Sequence, residues 1–539
     1  MRDSMNQVRD LLKARIQCIW IHTYEEAEVL KDIKELAREI TSTEVFLWSH
    51  TEGMAKQALT KHDVQEAFDP AFGQPKRLFD TIKERQDSDT QQPMGLFVLR
   101  DLHHLNERHD VNRALRDLKE YPTQQYNPVI VISPVVSIPA EHEKLFTVVE
   151  YDLPSKQEVA NLVNAMANKI RKSIQQGKDF EEPTDAEKDQ LIKACLGLTF
   201  KEIVDVFAKS LVKYKKLSVQ AISEEKIQLV KKSGVLDYSV PSISFDDIGG
   251  NHAYKDWISD VQDSFSEEAK AFGVKLPKGA LHVGVAGTSK TLMAEALASN
   301  MSVPLIKLQM SKVMDRLVGN SEKKMDQAMR VVKAVAPCVL LVDEIEKALG
   351  GISSSSQTDG GTLARVFASL LKFMEENDNG VFVVMTSNDV SALPPELTRA
   401  GRLDAHWYFT LPTTEERREI FNIHFRKVGR TASDAVLTMA ADLSQNYTGA
   451  EIEEIVKVSM RKAFKRYKTD GNAELTANDV ETAIGEVIPL YNSSREKIMA
   501  LDAWSKGRVR KTNYEEVKSA AYKPVVDDDL IKELVDLKQ

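Results

Sequence analysis

Eight residues, Gly284-Val285-Ala286-Gly287-Thr288-Ser289-Lys290-Thr291, differ at one position from G-x-x-x-x-G-K-[ST], the pattern of a loop that wraps phosphate in backbone N–H groups. Ser289 stands where the second glycine belongs. Glycine serves there because the amides curl close to the anion, often at torsions unfavourable for a residue with a Cβ. If Ser289 takes φ > 0 the strain is about 1 kcal/mol, which weakens binding severalfold without abolishing it. The Lys290 ammonium is spaced to reach β- and γ-phosphates, and the Thr291 hydroxyl to ligate Mg²⁺. Further along, Asp343-Glu344 offers one carboxylate for the metal and another to orient and deprotonate a water. Asn388 offers an amide to that water or to the γ-phosphate. Arg399 and Arg402 bracket a short turn; surplus to a self-contained site, they suit the γ-phosphate of a neighbouring copy.

The surrounding segments are those needed to hold these groups. The apolar run Leu281-His282-Val283 delivers the loop, and the helical stretch 292–297, beginning at Leu292, carries the chain away from it. The open end of that helix adds to the anion site. Cys338-Val339-Leu340-Leu341-Val342 is an apolar strand ending in the two acids, and Val381-Phe382-Val383-Val384-Met385-Thr386 is another, ending at Ser387-Asn388. Continuous apolar strands alternating with helices predict an α/β fold with a parallel sheet covered on both faces.

These motifs carry a resemblance. Residues from about 244 to 487 resemble an AAA module, the ring-forming branch of the AAA+ P-loop NTPases. Phe245-Asp246-Asp247-Ile248-Gly249-Gly250 matches that family's opening motif, which implies that Ile248 and Gly249 lie against adenine. The resemblance also implies that His424 lies near base and ribose, and that Gly449 and Ala450 begin a lid helix over adenine. Asn388 is then the sensor, and Arg399 and Arg402 act in trans. A helical lid, ATP and Mg²⁺ as cofactors, and a homo-oligomeric ring, most often a hexamer, are implied with them. Asp343-Glu344-Ile345-Glu346-Lys347, Asp359-Gly360-Gly361-Thr362, Leu393-Pro394-Pro395-Glu396-Leu397, Ile488-Pro489-Leu490 and Ala503-Trp504 extend the similarity nearly end to end. They point to an AAA family of cyanobacteria, algal plastids and some bacteriophages. AAA rings that thread polypeptide usually present an aromatic from the first channel loop. Here that loop contains Arg316, Leu317 and Val318, with Leu317 and Val318 at the gripping positions. An aliphatic pair offers less contact area, which suits remodelling of a loosely folded partner better than forceful unfolding. The Gly- and Ser-rich stretch 350–361 is the expected second channel loop.

The front half repeats the same order of elements without the chemistry. Gln17-Cys18-Ile19-Trp20-Ile21-His22-Thr23 leads directly into Tyr24-Glu25-Glu26-Ala27-Glu28, with no glycine loop or lysine between. Val45-Phe46-Leu47-Trp48 serves as the next strand. Leu96-Phe97-Val98-Leu99-Arg100-Asp101 parallels the acidic strand, Leu102 replacing the second acid. Pro128-Val129-Ile130-Val131-Ile132-Ser133 parallels the sensor strand, with Pro134 in place of the asparagine. Val149-Glu150-Tyr151-Asp152-Leu153-Pro154-Ser155 pairs with Trp407-Tyr408-Phe409-Thr410-Leu411-Pro412-Thr413, and Gly197-Leu198-Thr199-Phe200-Lys201-Glu202-Ile203 echoes the lid helix. The expected organisation is a degenerate AAA-like α/β domain over 1–155, a helical lid-like subdomain and linker over 156–235, an AAA large domain over 236–411, its lid over 412–487, and a C-terminal extension over 488–539. Residues 231–241 read as the linker.

Composition narrows the remainder. Among 539 residues, 42% hydrophobic and 28% charged, no apolar run approaches the roughly 20 residues of a membrane span, and the N-terminus shows no signal-peptide core. Cys18, Cys195 and Cys338 are isolated and read as buried thiols in a reducing compartment. That compartment is the cytoplasm, or, following the resemblance, a plastid stroma or a phage-infected host. A net charge of −9 argues against coating nucleic acid, and the basic stretch 461–468 reads as a solvated helix face. The leading reading is an ATP-hydrolysing ring that remodels a protein partner. A second is a nucleotide-gated scaffold with slow hydrolysis, and the last is a nucleic-acid motor or loader.

Overall fold

The computed structural model describes residues 2–514 apart from 41–42, 61–65, 87–92, 106, 121–125, 177–178, 266, 315–319, 350–359, 378–379, 392, 395–396, 398–401 and 472–473. The chain forms two compact units, Met1–Ser223 and Glu224–Gln539. In the first, strands β1 (Cys18–His22), β2 (Thr43–Ser49), β3 (Gly53–Gln57), β4 (Met94–Arg100), β5 (Val129–Ser133) and β6 (Phe146–Glu150) form one sheet in the order β3-β2-β4-β5-β1-β6. The second contains β7 (Leu236–Ser239), β8 (Gly279–Gly284), β9 (Leu305–Leu308), β10 (Cys338–Val342), β11 (Val381–Ser387), β12 (Ala405–Phe409) and β13 (Arg510–Lys511), ordered β13-β12-β8-β11-β10-β9-β7.

The two sheets have one topology. Five parallel strands run β6-β1-β5-β4-β2 in the first unit and β12-β8-β11-β10-β9 in the second, and each series ends on an antiparallel edge strand, β3 on β2 and β7 on β9. The strands are apolar throughout because both faces are covered. Along β10, Cys338, Leu340 and Val342 enter the core on one face while Val339 and Leu341 enter the core on the other. The first unit is built likewise, with Ile130 and Ile132 of β5 on one side and Val129 and Val131 on the other.

Helical lids follow each sheet and begin with the same device. Ser155, Thr184 and Thr199 in the first unit, and Thr413, Thr448 and Thr476 in the second, each cap a helix in a reciprocal capping box with an acid three residues on. The second lid packs the helices Thr414–Lys427, Asp434–Leu443, Gly449–Asp470 and Ala477–Glu486 around Phe421, Phe425, Ile452 and Val480.

Three expectations meet the structure here. Residues 236–239, read as linker, are strand β7: Leu236 and Tyr238 alternate inward, so the segment joins the sheet and does not span a gap. The C-terminal extension, where described, also belongs to the second unit's core. Its helix Leu490–Ser505 buries Ile498 and Leu501, and β13 pairs in parallel with β12. The basic stretch 461–468 lies on the long lid helix, where Arg461 pairs with Glu454, Lys462 with Glu486 and Arg466 with Asp479. Cys18, Cys195 and Cys338 are buried and free of disulfides. No helix among the described residues is long and apolar enough to cross a membrane.

Candidate active site

The loop Gly284–Thr291 connects β8 to the helix Lys290–Asn300 at the carboxyl edge of the sheet, where doubly wound sheets bind ligands. Gly287 has φ 83°, and a Cβ there would lie 2.9 Å from the Thr448 hydroxyl, so the loop and lid approach to a distance only glycine permits. Ser289 is left-handed, φ 65° and ψ 11°. Its hydroxyl donates to the Thr288 carbonyl at 2.6 Å and accepts the Asn251 side-chain amide at 3.1 Å. These bonds hold the strained residue locally and leave the first turn of the helix uncapped by its side chain. Lys290 is buried and its ammonium donates to the carbonyls of Gly284 and Val285 at 3.0 and 2.7 Å. Burial pushes it down to about 8, against the pull of Glu346, Asp343 and Glu344.

Behind the loop, His282 on β8 is fully buried and donates from Nδ1 to the Lys290 carbonyl at 3.1 Å while its Nε2 lies 2.7 Å from the Tyr254 hydroxyl. This neutral tautomer uses both ring nitrogens, and burial pushes the imidazole down to about 3. His282 therefore ties the strand to the first turn of the helix, a role that its place in an apolar run did not signal.

The acids of β10 converge on the same point. Asp343 accepts the Thr291 hydroxyl at 3.0 Å and the Thr386 hydroxyl at 2.6 Å on one oxygen, and Lys307 lies 2.9 Å from the other. Burial opposes ionisation, but these partners outweigh it and hold Asp343 below the usual carboxylate range. Glu344 adopts φ 52°, its N–H donating to Thr386 at 2.9 Å and its carboxylate meeting Lys347 at 2.6 Å. Asn388 donates to Glu346 at 3.2 Å. Nothing in the sequence assigned Thr386, Lys307 or Glu346 a role at the site. Thr386 sits one residue inside a strand already assigned, but Lys307 lies 36 positions from Asp343, and only strand order brings them together.

A cleft of about 420 Å³ gathers most of the expected residues. Its wall includes Ile248, Gly249, the stretch from Ala286 to Leu292, Asp343, Glu344, Asn388, His424, Gly449 and Ala450. Gly284 and Val285 lie behind the wall as acceptors for Lys290. The lid is fastened to the opening motif by Glu416, which accepts the Asn251 N–H at 3.0 Å, and by Glu419, which accepts that of Gly250 at 2.9 Å. Burial lowers the His424 pKa, leaving a neutral ring facing the cleft. Arg402 is half-buried and is not part of this wall. Arg399, the channel-loop residues Arg316, Leu317 and Val318, and residues 350–359 lie outside the described residues.

Residues 280–411 match the family model for the ATPase family associated with various cellular activities, AAA. Across 514 residues the chain is 32% identical to an AAA domain-containing protein, ycf46, from Guillardia theta, covering 94% of this chain and 96% of that protein. The chain belongs to the AAA ATPase family. Two further models, the N-terminal and second domains of SpoVK-like AAA ATPases, match residues 4–151 and 157–233. The ycf46 protein of Pyropia yezoensis is 31% identical over 512 residues, 93% of this chain and 98% of that one. A cell division cycle protein 48 homolog from Archaeoglobus fulgidus matches 46% of the chain at 32% identity, covering 36% of its own length.

The first unit of this AAA protein shows what the same fold does without the loop. The β5 and β11 registers place Arg100 at the position of Asp343 and Asp101 at that of Glu344, and Asp101 shares the left-handed torsion, φ 54°. The sequence alignment was therefore one residue out, because it matched acid to acid. Arg100 pairs with Glu52 and lies 3.9 Å from Glu26, so a guanidinium and its acids occupy this edge. Glu25, following β1, accepts the Phe200 N–H at 2.6 Å at the start of the lid helix, where the second unit instead joins the Gly287 carbonyl to the Ala450 N–H. Arg2 lies 3.9 Å from Glu25, both buried, and 3.0 Å from the partly exposed Glu158. Carboxylates stand where a phosphate loop would turn its amides outward.

Proposed function

We propose that the second unit hydrolyses ATP with Mg²⁺ and that copies of the chain assemble as a ring, with a hexamer as the expected form, to remodel a protein partner. The observation that carries this reading is the meeting of Thr291, Asp343, Glu344 and Lys290 in one cleft, from segments far apart in the chain. The residues suit the ligands: Gly287 lets the loop lie against Thr448 and Ala450 of the lid, and Thr291 with Asp343 forms a hard oxygen donor set of the kind Mg²⁺ prefers. Held by Thr291 and Asp343, Mg²⁺ would offset the negative charge of the phosphates. Lys290 exchanges its two carbonyl acceptors for phosphate oxygens, and the uncapped helix start adds its amides. Glu344 orients and deprotonates the water, and Asn388 steadies it. Ile248, Gly249, His424, Gly449 and Ala450 enclose the base. Arg399 and Arg402 complete a neighbour's site in trans, and Arg316, Leu317 and Val318 contact the partner in the channel. The first unit, lacking the phosphate chemistry, serves as adaptor.

Glu344→Gln tests this directly. Steady-state ATP hydrolysis is expected to fall about 10²-fold or more while binding of a fluorescent ATP analogue persists; unchanged turnover would overturn the assignment. One observation favours the slower, nucleotide-gated scaffold as a second reading. The Glu344 carboxylate is held by Lys347 at 2.6 Å, so the base must be released before it can act. Comparing a single-turnover burst with the steady-state rate, with and without captured partners, separates the two.

A further inference from the structure

Lys307 is the one lysine side chain that touches Asp343 among the described interactions, and its choice of partner is informative. In the β7–β9 register Asp237 lies directly across from Lys307 on the same face of the sheet. Yet the Asp237 carboxylate takes the Gln309 amide, and the Lys307 ammonium reaches the other way, 2.9 Å from Asp343. On the helix that carries Thr291, Glu295 lines the same cleft one turn further on; burial raises its pKa, the Lys307 charge working against that shift and the Asp343 charge adding to it. Lys307 thus touches Asp343 and acts on Glu295 only through its charge, and Asp343 has both oxygens engaged, one by two threonine hydroxyls and one by Lys307.

We propose that Lys307 is a positioning residue, a built-in counter-cation that holds Asp343 ready and sets how much Mg²⁺ the site requires, with Glu295 sharing its charge. The inference rests on the reading of Thr291 and Asp343 as the metal-holding pair. Its sign follows from charge. A cation on Asp343 stabilises the acid before metal arrives and repels a divalent ion placed beside it. Removing the lysine should therefore strengthen Mg²⁺ binding and lower the concentration required, and removing Glu295 should weaken it and raise that concentration.

The test titrates Mg²⁺ against binding of a fluorescent ATP analogue to the full chain, with no turnover in the readout. Lys307→Met is expected to lower the half-saturating Mg²⁺ about fivefold and to weaken metal-free nucleotide binding. Lys307→Arg should stay within about twofold of the parent, and Glu295→Gln should move half-saturation the opposite way, about twofold upward. A Lys307→Met curve that superimposes on the parent, or shifts to higher Mg²⁺, overturns the proposal. If thermal melting shows that Lys307→Met does not fold, Glu295→Gln decides alone, and an unmoved curve counts against Lys307. A parent whose binding ignores Mg²⁺ would instead remove the metal assignment itself, and the Lys307 inference with it.

Discussion

Set side by side, β1 and β8 occupy the same place in the same strand order, yet one is followed by Thr23-Tyr24-Glu25-Glu26 and the other by a glycine loop and Lys290. The lids of both units start at a threonine capping box, Thr199 and Thr448. What meets each lid differs: a buried carboxylate, Glu25, in the first unit, and a loop carbonyl, that of Gly287, in the second. The fold needs strands, caps and apolar faces, and these survive in both units. The chemistry needs amides, a lysine and two acids at one edge, and these can be exchanged for an internal ion-pair cluster with the sheet unchanged. Stability and chemistry thus rest on separable sets of residues in this chain.

The largest expected effect breaks the comparison if it fails. Lys290→Ala should remove ATP-analogue binding from the whole chain, about 10²-fold or more, because the lost ammonium leaves phosphate with no cation in the loop. Binding that persisted at one site per chain would place a nucleotide on the first unit. Next in size, Arg2→Met strips Glu25 and Glu158 of their buried partner. About 3 kcal/mol should be lost from the first unit in chemical denaturation, while the ATPase rate holds. A rate that fell with it would show that the silent unit supports the active one.

A third prediction concerns acid. His282 is held neutral at about 3 in the fold, against an ordinary value of about 6.5 when unfolded. The unfolded chain binds the extra proton between those values. The contribution is complete above about pH 6.5 and is lost as pH falls toward 3, at up to about 1.4 kcal/mol per pH unit. His282→Phe should flatten that part of the second unit's denaturation profile. Ile21 stands at the matching position of the first unit, so no corresponding slope is expected there from this position. The smallest effect is that of Ser289→Gly. It relieves about 1 kcal/mol of left-handed strain but gives up hydrogen bonds to Thr288 and Asn251 of similar net worth. Steady-state ATPase should change only severalfold in either direction. Activity appearing over an inactive parent would show that the serine had silenced the loop.

Much of this was legible beforehand, for identifiable reasons. The loop residues are contiguous, so their joint geometry follows from one turn of chain. The acidic and sensor strands could be read because parallel strands are unbroken apolar runs with polar ends. The repeat in the front half was visible in the same way. Errors arose where a reading depended on register or on what a segment packs against. Asp101 was aligned with Asp343 because acid resembled acid, and residues 236–239 passed for a linker because a four-residue edge strand has too little pattern to declare itself.

From the sequence alone follow the identity of the phosphate loop, the two acids of β10, the order of elements and the absence of that chemistry from the first half. Each is written in neighbouring residues. Tertiary structure decided that Ser289 is left-handed with its hydroxyl turned to Thr288 and Asn251, that Glu25 caps the silent lid, and that Lys307 clasps Asp343. The physical reason is strand order. In a doubly wound sheet β9 lies beside β10, and β11 separates β10 from β8, so the groups that share an edge come from segments that chain position keeps far apart.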